Sequence, residues 1–68
     1  MNIGKKIRDR LTALDMTQRE LADRCDITEV AMSRYVTNTR IPKTLILKRI
    51  ARELGVTMDY LTEDEDED

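Results

Sequence analysis

The chain has 68 residues, which is below the usual size of a domain and leaves room for one small hydrophobic core. It is 40% hydrophobic and 38% charged, and it has no apolar run long enough to span a bilayer, so we expect no membrane protein. The formal charge of −2 is uneven: six of the 14 acidic residues lie in residues 63–68, which leaves eight acidic and 12 basic residues, a charge of +4, in residues 1–62.

The first predicted element is an amphipathic helix at the start of the chain. Its hydrophobic residues recur at helical spacing, at Ile3, Ile7, Leu11 and Leu14. We expect its basic side chains to form a solvated face, at Lys5, Lys6, Arg8 and Arg10. Because no apolar segment and no cleavage site follow these basic residues, we expect no secretory signal and a cytoplasmic location.

The second predicted helix begins at Thr17. Glu20 stands three residues later, the spacing of a capping box, in which each side chain satisfies a free backbone N–H of the other residue. Hydrophobic residues also flank this cap at the spacing of a hydrophobic staple, and the same offset recurs around two later threonines, Thr28 and Thr57. Three helix starts are therefore predicted from one local pattern.

The second and third helices are joined by a tight turn. Only two residues separate Cys25 from Thr28, and Asp26 is the residue that we expect to adopt a left-handed conformation there. The third helix should end near Val36. The segment from Thr17 to Val36 is therefore predicted to be a helix-turn-helix, in which Cys25 is a small buried hydrophobic residue.

The remaining elements are also helical. A polar loop follows at residues 37–40, in which Asn38 can take a left-handed conformation. A fourth helix runs from Lys43 or Thr44 to Leu54 and is stopped by Gly55, and a short fifth helix covers roughly Met58 to Leu61. No segment alternates as a strand would, so the fold class is predicted to be all-α, with five helices.

The acidic C-terminal run, residues 63–68, has nothing to bury, so we expect a disordered tail after a domain at residues 1–62. Three roles remain open for this tail. It can be a solubilising end, the start of a linker, or an anionic segment that competes with DNA for the basic body.

The chain resembles the lambda-repressor-like, Cro/CI-type (Xre) helix-turn-helix family over about residues 3–61. The resemblance rests on ordered motifs: I-G-x-x-I-R from Ile3, T-Q-x-E-L-A from Thr17, I-T-x-x-x-M-S-R-Y from Ile27, R-I-P from Arg40 and I-A-x-x-L-G-V-x-x-D-Y-L from Ile50. The family's usual turn glycine is Asp26 here, its loop glycine is Asn38, and the glutamate after its aromatic residue is Val36. The resemblance implies a compact five-helix domain, helix three in the major groove, and a dimer on a palindromic operator.

Candidate base-contacting residues lie at the start of helix two and on the outer face of helix three. They are Gln18, Thr28, Glu29, Val30, Ser33 and Arg34. Arginine commonly contacts guanine, glutamine adenine, and an exposed valine a thymine methyl group. Five of the six have a structural alternative. Gln18 can be an ordinary exposed first-turn residue and Val30 can contact the edge of the core. Thr28 can act only as a cap, Glu29 can complement the helix dipole, and Arg34 can pair with Glu29.

Candidate phosphate contacts are placed at the start of helix two and in the loop after helix three, where the resemblance implies that the DNA backbone is held. They are Thr17, Arg19, Asn38, Thr39, Arg40 and Lys43. By contrast, we expect the basic residues of helix four to form a solvated face, at Lys48, Arg49 and Arg52.

The sequence offers no catalytic or metal-binding set. Histidine is absent, Cys25 is the single cysteine and Ser33 the single serine, so we expect no enzyme, no cofactor and no small-molecule ligand. The predicted function is a transcriptional regulator, with repression favoured, that binds double-stranded DNA as a homodimer. The alternative is a protein-interaction module on the same fold, such as an antitoxin or a complex subunit. Helix five is the candidate dimer surface, with Val56, Met58, Tyr60 and Leu61.

Overall fold

The computed structural model describes residues 2–63 and confirms the all-α prediction. Five helices and no strand occur in this range: α1 Ile3–Leu14, α2 Gln18–Arg24, α3 Glu29–Val36, α4 Thr44–Leu54 and α5 Met58–Thr62. None of these helices combines the length and apolar character needed to cross a bilayer. Apart from Glu63, the predicted tail lies outside the described residues.

Three of the helices begin at the threonines that the sequence indicates. The hydroxyl oxygen of Thr17 accepts the N–H of Glu20 at 3.0 Å, and Glu20 Oε1 accepts the N–H of Thr17 at 2.8 Å, which confirms the capping box. The hydroxyls of Thr28 and Thr57 likewise accept the N–H three residues later. Each hydroxyl satisfies one backbone donor that the first turn of a helix leaves free.

The turns depend on residues in the left-handed region. Asp26 has φ 59°, Asn38 has φ 61° and Gly55 has φ 70°, as the sequence predicts, and Asp15 at the end of α1 has φ 54°. At Asp26 the chain reverses within two residues, because the next residue, Ile27, donates its N–H to the carbonyl of Ala22 at 3.0 Å. This geometry sets the close crossing of α2 and α3.

All five helices contribute buried side chains to one core. Packing joins α1 to α3, α4 and α5, while α2 packs on α3 and α4. The largest fully buried side chains are Ile7, Leu21, Met32, Ile50, Leu54, Leu61 and Cys25. Burial, and secondarily the charge of Glu53, raises the pKa of the Cys25 thiol to about 11, so the thiol stays protonated and packs as a small hydrophobic group, as predicted.

Gly4 marks the closest approach of α1 to α3. A Cβ atom on Gly4 would collide with the carbonyl oxygen of Val36 and would lie 2.9 Å from its carbonyl carbon. Both neighbours are backbone atoms at the end of α3, so they cannot move aside as a side chain would. The absence of a side chain at this position therefore fixes the distance between the two helices.

The predicted solvated face of α1 is wrong for Lys6. This side chain is only 4% exposed, and its ammonium group donates to the carbonyl of Tyr60 at 3.0 Å and to that of Glu63 at 3.3 Å. The ammonium also lies 4.9 Å from the centroid of the Tyr60 ring. Helical spacing relates only residues that are close in the sequence, whereas the partners of Lys6 are more than 50 positions away, at the C-terminal end of α5. The sequence pattern therefore predicted a solvated side chain.

Three arginines expected in solvent are also bound to helix ends. Each guanidinium donates to a carbonyl at the C-terminal end of another helix, where intrahelical hydrogen bonds run out. The pairs are Arg8 with Val36, Arg10 with Leu54 at 3.0 Å, and Arg49 with Cys25 at 3.2 Å. The remaining basic residues of the predicted solvated faces, Lys5, Lys48 and Arg52, are exposed.

Replacing Gly4 with alanine should destabilise the protein although alanine is the better helix former. We expect the free energy of unfolding in urea to fall by about 1–3 kcal/mol, the usual cost of overpacking, because the new methyl group meets backbone. Thr12→Ala, an exposed change in the same helix, is the matched control. Equal or greater stability of Gly4→Ala would show that α1 and α3 can separate without cost.

The capping box should make stability depend on pH through Glu20. The hydrogen bonds from the backbone and side chain of Thr17 lower the pKa of the Glu20 carboxyl below its ordinary value. Its stabilising effect is therefore present above the ordinary pKa, about 4.3 for glutamate, and is lost as the pH falls through the lowered value.

We therefore expect Glu20→Gln to lower the melting temperature at neutral pH, and the difference from the wild type to shrink as the solution is acidified. Glu29→Gln is the matched control, since it removes an acidic residue from the first turn of α3 without removing a side-chain hydrogen bond. A difference between Glu20→Gln and the wild type that stays constant down to acid pH would rule out the charged cap.

Candidate nucleic-acid interface

Helix α3 has one buried face and one open face. Met32 is 0% and Val36 is 4% exposed, and Tyr35 packs against the same core. The opposite face carries Glu29 and Arg34, both exposed. The helix is therefore seated by one set of side chains and presents another to solvent, as the sequence predicts.

The open face of α3 combines an apolar group with a cation. Val30 is 63% exposed, so packing against the core does not explain an apolar side chain at this position. Within residues 2–63 the guanidinium of Arg34 has no hydrogen bond or ion pair, so the alternative pairing with Glu29 does not form. Ser33 is half-buried beside Arg34. This face can offer both hydrogen-bond donors and an apolar contact to a ligand.

Thr28 and the start of α2 provide further polar groups. The oxygen of the Thr28 hydroxyl is used for the α3 cap, but its proton remains available for donation. At the start of α2, Thr17 is exposed and acts as the cap, Gln18 is half-buried, and Arg19 is exposed. Helix α2 packs on α3, so the start of α2 and the open face of α3 belong to one packed pair of helices. In the described part of the chain, no hydrogen bond joins the start of α2 to α3.

The loop after α3 is folded back onto the end of that helix. The backbone N–H groups of Thr39 and Arg40 donate to the carbonyl of Arg34, at 2.8 and 3.1 Å. The Thr37 hydroxyl bridges the carbonyl of Ser33 and the hydroxyl of Thr39, each at 2.8 Å. These bonds bring the loop candidates Thr39 and Arg40 next to the α3 candidate Arg34.

Asn38 has a structural role that the sequence does not indicate. Its Oδ1 atom accepts the N–H of Gly4 at 2.9 Å, and its Nδ2 atom donates to Oδ1 of Asn2 at 2.8 Å. The amide thus ties the loop to the start of α1. A phosphate contact of Asn38 remains a prediction, and it would have to use the second proton on Nδ2.

Gly4 and Arg8 are the positioning residues that sequence reasoning missed. They contact the end of α3 at the carbonyl of Val36, one by close approach and the other by a hydrogen bond. A sequence signal exists, since a glycine inside a helix followed four residues later by an arginine places both on one face. Val36 stands at the position where the family usually has a glutamate, so its side chain provides no polar anchor. Gly4 and Arg8 together hold the end of α3 at this position instead.

Positive charge is concentrated after α3. Residues 37–52 contain five basic residues and no acidic one: Arg40, Lys43, Lys48, Arg49 and Arg52. Arg49 is bound to the end of α2, whereas the other four are exposed. The open face of α3 is therefore followed directly by a segment suited to polyanions.

The fold is similar to that of a protein of known structure. The structure is similar to that of the P22 c2 repressor protein in complex with a synthetic operator, with a TM-score of 0.84 and 26% sequence identity. The match covers 90% of this chain and 92% of the repressor chain. No curated protein sequence matches the chain. A sequence model of the family described as Helix-turn-helix matches residues 7–61. The match covers most of the chain, and the chain therefore belongs to this helix-turn-helix family, with the lambda-repressor-like fold that its Cro/CI-type motifs predicted.

Proposed function

We propose that this protein is a transcriptional repressor that binds double-stranded DNA in a sequence-specific manner. The observation that carries the proposal is the near whole-chain likeness to a repressor bound to operator DNA. The open face of α3 supports it, because Val30 is exposed and Arg34 has no hydrogen bond or ion pair with the rest of residues 2–63. A recognition helix needs such groups on the face that meets the bases. The protein is a DNA-binding regulator in this proposal, and we assign it no catalytic activity.

In this proposal α3 enters the major groove and its open face reads bases. Arg34 donates to a guanine, Val30 contacts a thymine methyl group, and Glu29 accepts from a cytosine amino group. Gln18 reaches an adenine or a phosphate from the start of α2. Thr28 and Ser33 add hydroxyl contacts. These roles suit the side-chain chemistry and the exposure of Val30, Glu29 and Arg34.

The phosphate backbone is held on either side of α3. Arg19 and Thr17 act from the start of α2, and Arg40 and Lys43 act from the loop that folds back onto α3. Thr39 and Asn38 also lie in this loop. Such contacts position the protein on the duplex without distinguishing one sequence from another.

We further propose a homodimer on a pseudo-palindromic operator, with half-sites about one helical turn apart. A two-fold axis in the protein pair matches a two-fold axis in the operator, so each copy would present its α3 to the same half-site sequence. The DNA-binding unit is assigned to residues 1–62, with the acidic residues 63–68 as a tail and the cytoplasm as the location.

Selection from a pool of randomised duplexes tests the proposal. We expect an enriched pseudo-palindrome that binds more tightly than random duplex. In gel-shift titrations at two salt concentrations, affinity should fall as salt rises. Protein binding releases cations that are condensed on the DNA, and this release is less favourable at higher salt. No enriched site and no salt dependence would contradict the proposal and would favour a protein-interaction module on the same fold.

Arg34→Ala and Arg40→Ala should have different effects on DNA binding. Loss of a base contact at Arg34 should weaken operator binding by about 1–3 kcal/mol and relax the preference at one base pair. Loss of a phosphate contact at Arg40 should weaken operator and random duplex about equally and lower the salt slope by about 1. Gel shifts on both duplexes provide the measurement.

Arg52→Ala is the matched control, since Arg52 is an exposed arginine of α4 that lies outside the proposed contact residues. We expect it to leave the preference for operator over random duplex unchanged. Equal losses for Arg34→Ala on operator and random duplex would remove Arg34 from the set of base-reading residues.

A further inference from the structure

The loop after α3 is tied to α1 by two asparagine side chains. Nδ2 of Asn38 donates to Oδ1 of Asn2 at 2.8 Å, and Oδ1 of Asn38 accepts the N–H of Gly4 at 2.9 Å. Oδ1 of Asn2 also accepts the N–H of Lys5 at 3.0 Å, as the N-cap of α1. We call the side chains of Asn2 and Asn38 the amide bridge. It joins two segments that are 36 positions apart in the sequence.

The amide bridge is closely fitted to the first turn of α1. A Cβ atom on Gly4 would lie 3.0 Å from Nδ2 of Asn38, so the amide occupies space that a side chain at this position would need. One turn later, Arg8 donates to the carbonyl of Val36. Helix α1 therefore holds the chain on both sides of Thr37.

The amide bridge supplies the hydrogen bonds between the loop and an element other than α3. Within residues 2–63, every other hydrogen bond of residues 37–40 stays inside the loop or goes to a carbonyl of α3. The N–H groups of Thr39 and Arg40, for example, both donate to the carbonyl of Arg34. Without the bridge, the last turn of α3 alone would hold the loop.

The order of this loop bears on the proposed phosphate contact of Arg40. A loop that becomes ordered only on binding loses conformational entropy at that step, and the affinity is lower by that cost. Asn38 is bonded two positions before Arg40, and the side chain of Arg40 is exposed. The bridge therefore limits where the backbone of Arg40 can lie and leaves its guanidinium accessible to DNA.

The hydrogen bonds also separate a positioning role of Asn38 from a direct phosphate contact. A phosphate oxygen of DNA accepts hydrogen bonds, so Asn38 could bind it only through Nδ2. One of the two Nδ2 protons is already donated to Asn2, which is not among the proposed contact residues. A positioning role thus requires Asn2 as much as Asn38, whereas a direct contact requires Asn38 alone.

We propose that Asn2 and Asn38 are positioning residues for the DNA backbone contact of Arg40, and that the amide bridge holds the loop in its binding geometry in the free protein. The inference rests on the proposed function and extends the residues that support DNA binding to the first turn of α1. In this role Asn2 touches no DNA, and Arg40 is the group that meets the phosphate.

The test uses the full chain with two substitutions. Asn2→Ala removes the acceptor of the bridge, and Asn38→Gly removes the amide but keeps a residue that adopts the left-handed conformation readily. Each is also combined with Arg40→Ala. Thr57→Ala is the matched control, since it removes the same kind of helix cap from α5 without removing a hydrogen bond of the loop. Urea unfolding verifies that each variant is folded.

Amide hydrogen exchange, measured by NMR, reports on the loop in the free protein. We expect the N–H groups of Thr39 and Arg40 to exchange about 2- to 10-fold faster in Asn2→Ala and in Asn38→Gly, the change expected for the loss of one net hydrogen bond. Asn2→Asp keeps the acceptor oxygen and should exchange as the wild type does. Thr57→Ala should leave these two rates unchanged.

Gel shifts report on the contact itself. Asn2→Ala and Asn38→Gly should each weaken binding to a selected operator and to random duplex by the same factor, about 2- to 10-fold. In a chain that already carries Arg40→Ala, neither change should weaken binding further, because the contact that the bridge positions is gone. Thr57→Ala should bind both duplexes as the wild type does.

Three results would overturn the inference while DNA binding by the wild type stands. A loss for Asn38→Gly with none for Asn2→Ala would mean that Asn38 contacts the phosphate directly. Equal losses with and without Arg40→Ala would mean that the bridge does not act through Arg40. Unchanged exchange in the loop would mean that the bridge does not order it. If the wild type bound no duplex, the proposed function would fail and the inference with it, whatever the exchange rates.

Discussion

The fold depends on cationic side chains that bind the carbonyl ends of helices. Each of the four helices after α1 ends at carbonyls that accept from a lysine or an arginine on another helix. The donors are Arg49 for α2, Arg8 for α3, Arg10 for α4 and Lys6 for α5. A helix end leaves four carbonyls without intrahelical partners and carries partial negative charge, so a cation satisfies both needs. In a chain with so small a core, these bonds fix how the helices meet.

This use of charge separates the basic residues into two groups. One group is consumed inside the fold, where its hydrogen bonds hold α1 and α4 to the ends of their neighbours. The other group stays exposed, and Arg34, Arg40 and Lys43 lie on α3 and in the segment that follows it. The formal charge of residues 1–62 therefore overstates the positive charge that is accessible to a polyanion. The position of the exposed basic residues matters more than the total charge. The open face of α3 lies where that group begins.

The sequence predicted the parts of the fold that local interactions determine. The caps at Thr17 and Thr28 and the left-handed residue Asp26 act over three or four positions, so their pattern is visible in the chain. Lys6 binds a carbonyl 54 positions away, and no local pattern distinguishes it from a solvated cation. Arg8 binds a carbonyl 28 positions away, and the only local sign of this contact is its spacing of four residues from Gly4. The exposure of the α3 face was predictable from helical spacing, whereas its base and phosphate contacts depend on a ligand that the chain alone does not contain.

The division of α3 into a seating face and an open face has a consequence for how new specificities can arise. Glu29, Val30 and Arg34 are exposed, and their side chains form no hydrogen bond with the rest of residues 2–63, so the fold places few demands on their identity. Met32 and Val36 hold the helix in place from the other side. Substitutions on the open face can therefore accumulate without repacking, and the domain can serve as a scaffold onto which a different recognition surface is grafted.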